Sequence, residues 1–177
     1  PSPLGTTLQT IGRHTSHDER EAVMSNALHF DVAIDKDNNV LHVEREFDAP
    51  VPLVWRAYTD PEILDQWWAP KPYRTRTLSM DFREGGTWMY AMVSPTDEEH
   101  FCRLDYERIY HERSYSGMDA FCKNAEGEIN EDFPSAHVVV DFKAQGDRTL
   151  VTYTTTYATR EALESVLSMG VEAGLTM

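Results

Sequence analysis

The stretch that decides the fold is residues 48–86, which read DAPVPLVWRAYTDPEILDQWWAPKPYRTRTLSMDFREGG. It contains two helix-start signals, Asp48-Ala49-Pro50 and Asp60-Pro61-Glu62, in which a proline near a first helical position loses no hydrogen bond. Apolar residues follow each start at helical spacing: Val51, Val54, Trp55 and Tyr58, then Leu64, Trp67 and Trp68. The stretch therefore predicts two short consecutive helices after the first strand, the second of which is ended by Pro70 and Pro72.

Alternating apolar and polar residues predict strands on both sides of these helices. Residues 30–47 alternate around a turn at 36–39, a pattern that fits either a hairpin or one strand with a kinked approach. After the helices, residues 78–82 predict a strand that reverses at Gly85-Gly86 into a second strand at 87–94. Further strands are predicted at 100–111, 113–123, 136–143 and 149–157. Together these segments predict an antiparallel sheet of about six to seven strands.

A final amphipathic helix is predicted from about Thr159. Its apolar stripe contains Leu163, Val166, Leu167, Gly170, Val171 and Gly174. The stripe still runs at Met177, which predicts that the helix continues beyond the last residue of this sequence. A curved antiparallel sheet needs its concave face covered, and this helix is the only predicted element long enough to cover it. We therefore predict an α+β fold in which the sheet wraps around a long C-terminal helix, with a pocket between them.

The domain organisation follows from length and composition. Residues 1–27 predict an N-terminal extension, a loose arm followed by a short helix that begins at the Ser16–Glu19 capping box. Residues 28–177 predict a single domain. A chain of 177 residues with 41% hydrophobic content is long enough to bury roughly two thirds of its unfolded surface without disulfide bonds.

Charge and cysteine content exclude several classes of function. The formal net charge of -14, from 30 acidic and 16 basic side chains, disfavours binding to nucleic-acid phosphates and anionic lipids. Cys102 and Cys122 lie outside any C-x-x-C pattern, so they predict buried thiols instead of a zinc site. No signal-peptide pattern occurs, and no run approaches the ~20 apolar residues of a membrane span. The sequence predicts a cytoplasmic location, no nucleic-acid partner, no integral membrane contact, no metal and no cofactor.

One string of motifs runs through the chain. It comprises Phe47-Asp48-Ala49-Pro50, Val54-Trp55, Thr59-Asp60-Pro61, Trp67-Trp68-Ala69-Pro70, residues 81–86, Met169-Gly170 and Gly174. Over about residues 28–177 this string resembles domains related to the C-terminal domain of the activator of the ninety-kilodalton heat-shock protein ATPase. Such domains belong to the START-like (SRPBCC) helix-grip superfamily, which includes polyketide cyclases. The resemblance implies a curved sheet around a long C-terminal helix, with an apolar cavity that accepts lipids, sterols, polyketides or other hydrophobic molecules. Asp105 departs from the family pattern, since many relatives have a small residue there.

The candidate ligand-binding residues lie on the elements expected to border this pocket. They are Trp67, Trp68, Tyr90, Met92, Arg103, Asp105, Tyr153 and Gly170. Arg103 and Asp105 share one face of the strand at 100–111: facing inward they form an ion pair in the pocket, and facing outward they form a solvated surface. The outward orientation is favoured, because charges are rarely buried and Leu104, Tyr106 and Tyr110 make the better core set.

Three functions compete at this level. Binding of a small hydrophobic ligand is favoured, because the sequence has no nucleophile motif, no glycine-rich phosphate loop and no His-Glu-x-x-His motif. The first alternative is a cyclase- or hydrolase-like enzyme that uses Asp105, Glu107 or Tyr153, since desolvation moves a carboxylate pKa toward neutrality. The second alternative is a co-chaperone-like module that stimulates a heat-shock ATPase. It ranks last because the chain has one START-like domain, so a chaperone partner is disfavoured. A homodimer formed through strand edges and the Trp-rich loop is left open.

Overall fold

The computed structural model describes residues 27–170 and contains eight strands and three helices within them. In chain order the elements are β1 Phe30–Asp35, β2 Val40–Phe47, α1 Val51–Thr59, α2 Pro61–Trp67, β3 Arg74–Met80, β4 Thr87–Val93, β5 Glu99–Tyr110, β6 Ser114–Cys122, β7 Ala136–Gln145, β8 Arg148–Tyr157 and α3 Arg160–Ser168. The predicted N-terminal arm lies outside the described residues. So does its short helix, which was expected to end near Leu28, apart from its last two residues.

All eight strands form one curved antiparallel sheet with the order β1-β2-β8-β7-β6-β5-β4-β3. The predicted α+β helix-grip fold is confirmed. The sheet has one strand more than the upper prediction, because residues 30–47 form a hairpin in which Val32 pairs with Val43. The two short helices consequently follow the second strand and not the first. β1 and β3 are the two edges of the sheet, and the homodimer through these edges stays a prediction.

The two predicted short helices are present with the expected start signals. In α1 the side chains of Val54, Trp55 and Tyr58 are buried, and they belong to the predicted stripe. α2 begins after Asp60, whose carboxylate accepts a 3.0 Å hydrogen bond from the backbone N–H of Glu62. Leu64 is fully buried. The burial of these two faces fixes both helices at one end of the sheet.

A double-glycine turn joins β3 to β4, as the sequence predicted. A Cβ atom on Gly86 would lie only 2.0 Å from the backbone oxygen of Asp81, so no other residue fits there without moving the chain. The Gly86 N–H donates to the carbonyl of Arg83 at 2.8 Å. The turn thereby returns the chain into β4 beside the aromatic residues of the core.

The C-terminal helix α3 begins where predicted, and within the described residues it ends at Ser168. Thr159 caps it, accepting a 3.1 Å hydrogen bond from the Ala162 N–H, and Leu163 and Val166 are buried. The helix ends at Ser168 because Gly170 adopts a left-handed conformation with φ of 82°. The predicted continuation through Gly174 lies outside the described residues.

The core lies on the concave face of the sheet and is divided into two clusters. The larger cluster packs α1 against the middle strands, with Trp55 4.9 Å and Tyr58 5.3 Å from Phe142 between ring centroids. The smaller cluster packs Leu163 and Val166 of α3 against Leu41, Ala136 and Tyr157. Because α1 and α3 cover different parts of the concave face, a space remains between the two clusters. No helix within residues 27–170 is long and apolar enough to cross a membrane.

Candidate functional site

A cavity of about 860 Å³ occupies this space on the concave face. Every strand of the sheet contributes to its wall, and α1, α2, α3 and residues 68–75 complete it. The side chains that line the cavity are mostly aromatic and aliphatic. Those from the central strands include Tyr90, Met92, Phe121, Ala136, Val151 and Tyr153. The size and apolar lining are typical of a site for a small organic molecule.

Six of the eight predicted binding residues line this cavity: Trp67, Trp68, Tyr90, Met92, Tyr153 and Gly170. They come from four parts of the chain that are far apart in sequence, so the fold brings them together. Among the described residues, no atom lies within 4 Å of a Cβ atom placed on Gly170, which comes just after the end of α3. Whether these residues bind a ligand stays a prediction.

The aromatic side chains form a continuous wall along the cavity. Trp68, Tyr90 and Tyr153 line the cavity, and the ring centroids of Trp68 and Tyr153 are 6.1 Å apart. The buried Trp88 packs against two of them, with its ring centroid 4.1 Å from that of Tyr90 and 5.4 Å from that of Trp68. Trp67 contacts Trp68 at 5.5 Å and donates its indole N–H to the carbonyl of Ala57 in α1, at 3.0 Å. Trp67 therefore links α2 to α1 by a hydrogen bond, and both Trp67 and Trp68 line the cavity.

Arg103 and Asp105 lie on the opposite, convex face, which is the orientation that the sequence favoured, and they are therefore wrong as candidate pocket residues. β5 directs Cys102, Leu104 and Tyr106 inward, and successive strand residues point to opposite faces. Arg103 donates two hydrogen bonds to Asp105, at 2.9 and 2.6 Å, and a third to the carbonyl of Gly127 at 2.9 Å. This pair ties the loop after β6 to the outside of the sheet.

The electrostatics of this outer pair are those of a structural ion pair. Burial by itself raises the pKa of Asp105, but the hydrogen bonds from Arg103 and from the Thr87 hydroxyl outweigh burial and leave the pKa below its usual value. Glu107 is also on the outside, where it contacts His137 at 3.0 Å. Of the three residues considered for catalysis, only Tyr153 faces the cavity.

The sequence reasoning missed Asp119, one of two carboxylates among the described residues that line the cavity. The other, Asp65 of α2, accepts hydrogen bonds from the backbone N–H and the hydroxyl of Thr77, at 2.9 and 2.7 Å. Asp119 is on β6, opposite Leu104 of β5 and Ala136 of β7, and both of these residues point to the concave face. Burial raises the pKa of Asp119 to about 6, against a smaller lowering effect of the Ala120 N–H. The strand pattern contained the signal, because Asp119 is in phase with the aromatic residues Tyr115 and Phe121.

The other titratable groups near Asp119 are uncharged at neutral pH. Burial raises the pKa values of Tyr90, Tyr153 and Tyr157, so their phenols keep their protons. Burial also raises the pKa of the Cys102 thiol. Cys102 is therefore a poor nucleophile, since the thiolate is the reactive form.

Three cationic side chains also line the cavity, at its periphery. Arg45 lies over the rings of Phe30 and Phe47, at 6.0 and 5.4 Å from the ring centroids. Arg74 contacts Asp97 at 3.0 Å, and Lys71 is exposed. Within residues 27–170, no group of three or more His, Cys, Asp or Glu side chains is arranged to hold a metal ion.

Comparisons with known proteins agree with this architecture. Residues 48–177 match the family described as Activator of Hsp90 ATPase homolog 1-like protein. The chain is similar to the crystal structure of protein Ms6760 from Mycobacterium smegmatis, with 33% identity over 85% of this chain and 91% of that one, and a TM-score of 0.76. It is also similar to solution structures of proteins from two other bacteria. The Arthrobacter aurescens protein has 25% identity over 82% of this chain and 84% of that one, with a TM-score of 0.78. The Staphylococcus epidermidis protein has 28% identity over 81% of this chain and 87% of that one, with a TM-score of 0.70. None of the curated proteins matches the chain significantly.

Proposed function

The chain belongs to the family of activator of Hsp90 ATPase homolog 1-like proteins, and on this basis we propose that it binds a small hydrophobic molecule in the cavity between the sheet and α3. One observation carries the proposal: a volume of about 860 Å³ remains unfilled in the middle of the concave face, with an aromatic wall. Protein interiors are otherwise packed with few voids larger than a water molecule. A cavity of this size is therefore better explained by a ligand than by imperfect packing.

The lining supports a ligand with an extended or aromatic apolar body. Trp68, Tyr90 and Tyr153 present ring surfaces, and Met92 adds a flexible, polarisable side chain that adapts to different shapes. We propose that these four residues, with Trp67 and Gly170, contact the ligand. Cavities of roughly 300 to 1,000 Å³ commonly hold molecules of this kind.

The two alternatives receive less support. Asp105 and Glu107 are not suitable catalytic residues for an enzyme of the cyclase or hydrolase type, because both lie on the convex face. Stimulation of a heat-shock ATPase rests on the family description alone. An ATPase assay with the cognate chaperone tests that alternative directly, and a clear stimulation would place it above ligand binding.

The proposed function is tested by titrating the protein with N-phenyl-1-naphthylamine, an uncharged probe that fluoresces strongly in apolar surroundings. We expect saturable binding with one site per chain. A Met92→Trp variant should weaken binding by about tenfold or more, because the larger ring occupies the cavity, and this corresponds to about 1.4 kcal/mol.

The matched control is Met118→Trp, which makes the same change on the opposite face of the sheet, where Met118 is 37% exposed. This variant should bind the probe as the unaltered protein does. Ala136→Leu fills the cavity from another strand and keeps the test decisive if Met92→Trp does not fold. Absence of saturable binding, or equal weakening by the variants on the two faces, would refute the proposal.

A further inference from the structure

Asp119 of β6 places an ionisable group on the mostly apolar wall of the cavity. Its register partners are Leu104 and Ala136, whose side chains offer no hydrogen bond. Its carboxylate receives a hydrogen bond from the backbone N–H of Ala120. Within residues 27–170, no Lys, Arg or His side chain forms an ion pair with it. The carboxylate therefore has no positive partner from the described chain.

The groups that face Asp119 from the neighbouring strands provide no positive charge either. They are Tyr90 from β4, Cys102 from β5, Tyr115 from β6, and Tyr153 and Tyr157 from β8. Burial raises the pKa values of all of them, so they remain neutral. β7 contributes only the methyl group of Ala136 at this position, and this small side chain leaves the carboxylate open to the cavity.

A carboxylate in such surroundings is costly unless something pairs with it. Moving an ionised group out of water costs several kcal/mol, and a protonated amine in the cavity would offset this cost by a charge-assisted hydrogen bond. The aromatic wall adds to this preference, because the faces of Trp and Tyr rings attract organic cations. Trp68, Tyr90 and Tyr153 supply such faces around the same cavity.

The cationic side chains at the periphery point to a different ligand, an anionic one. Arg74 is already engaged by Asp97, and Arg45 is held over two phenylalanine rings. Neither forms an ion pair with Asp119. The interior carboxylate and the peripheral cations thus make opposite predictions about the charge of a ligand, and the two can be separated by experiment.

We propose that Asp119 makes the cavity selective for hydrophobic molecules that carry a basic amine, with the protonated nitrogen bound to its carboxylate and the apolar body lying along the aromatic wall. The inference rests on the proposed function, since it requires that the cavity binds a hydrophobic molecule. It adds the chemical class of the ligand and the residue that selects it.

The test compares three molecules with the same apolar body: decylamine, decanol and decanoate. Each is titrated at pH 8 against the protein loaded with N-phenyl-1-naphthylamine, and displacement of the probe gives the affinity. We expect decylamine to bind about tenfold more tightly than decanol, the effect of one hydrogen bond to a charged group, and decanoate to bind most weakly. As the pH falls through about 6 and Asp119 takes up a proton, the preference for the amine should decline.

Asp119→Asn should abolish the preference for the amine over decanol. Asp141→Asn, which removes the same charge from an exposed position on the neighbouring strand, is the control and should keep the preference. Equal binding of decylamine and decanol, tighter binding of decanoate, or an amine preference that survives Asp119→Asn would overturn the inference while probe binding still supports the proposed function. If the probe itself does not bind, the proposed function fails and the inference fails with it.

Discussion

Asp119 on β6 lies directly opposite Ala136 on β7, so the carboxylate of the cavity wall borders a single methyl group on that side. Ala136 also contacts α3 through the cluster with Leu163 and Val166. The small residue therefore does two things at once: it lets the helix approach the sheet and it keeps the carboxylate accessible from the cavity. A protein selected only for stability would place an apolar residue at position 119, because an unpaired buried charge opposes folding.

The first prediction concerns the stability cost of Asp119. Its pKa is about 6 in the folded protein and 3.8 ordinarily, so the folded protein holds the proton more tightly. The free energy of unfolding therefore decreases as the pH rises from about 4 through 6 and Asp119 ionises. Above that range the decrease is complete. Asp119→Asn should raise the free energy of unfolding at pH 8 by up to about 3 kcal/mol, and by about half as much at pH 5. Urea denaturation at both pH values measures this, and a stability difference that does not change with pH would contradict it.

The second prediction concerns the ion pair on the convex face. Arg103→Met removes the partner of Asp105 and the tie to Gly127, and should lower the free energy of unfolding by about 1 to 2 kcal/mol at pH 7. Because the pKa of Asp105 is depressed, this loss should shrink as the pH falls below 3.8. Arg76→Met breaks a more exposed pair with Glu99 and should cost less than about 1 kcal/mol. Weaker probe binding in Arg103→Met would show that the pair acts on the cavity after all.

The third prediction concerns close contact of β5 with β6. A Cβ atom on Gly117 would lie 2.2 Å from the backbone oxygen of Asp105. Gly117→Ala should therefore cost at least about 2 kcal/mol, because the strands must move apart. Gly146→Ala is the comparison, since no atom lies within 4 Å and only the positive φ of 61° opposes it, at about 1 kcal/mol. Thermal unfolding of both variants checks this, and equal losses would argue against a backbone contact at Gly117.

The fourth prediction uses the two thiols as reporters from opposite faces. Cys102 lines the cavity and is 3% exposed, and burial raises its pKa, so it should react slowly with methyl methanethiosulfonate at pH 8. In a Cys122→Ser variant, saturating N-phenyl-1-naphthylamine should slow the labelling of Cys102 further. In a Cys102→Ser variant the probe should leave the labelling of Cys122 unchanged. Protection of both thiols, or of neither, would place the probe elsewhere.

Local sequence signals were sufficient for the helices, the turn at Gly85-Gly86 and most strands. Capping by Asp60 and helical spacing of Trp55 and Tyr58 are local effects, so they can be read from neighbouring residues. The orientation of β5 shows the limit. The expected core residue Tyr110 is 58% exposed, because a register shift between Tyr106 and Arg108 changes which residues face inward. Such a bulge depends on the partner strand, and Gly117 of β6 pairs with Tyr106 at this point.

The composition of the cavity could be predicted only in part for a similar reason. Tyr90 shares a strand face with apolar residues, Tyr153 alternates with threonines on its strand, and Trp68 follows Leu64 at helical spacing, so these local patterns predicted all three as lining residues. Asp119 shares a face with Tyr115 and Phe121, but a carboxylate in that position is ordinarily interpreted as a solvent-facing residue. Its location follows from the pairing of β6 between β5 and β7, which the alternation within one strand does not specify.

The most direct test of ligand binding in the cavity is a titration of ¹⁵N-labelled protein with N-phenyl-1-naphthylamine, followed by two-dimensional NMR. We predict that the largest shift changes map to residues on the concave face, with the indole N–H signals of Trp67 and Trp68 among them, because these rings line the cavity. The signals of Arg103 and Met118, on the convex face, should move least. Changes confined to the convex face or to the sheet edges would contradict ligand binding in the cavity.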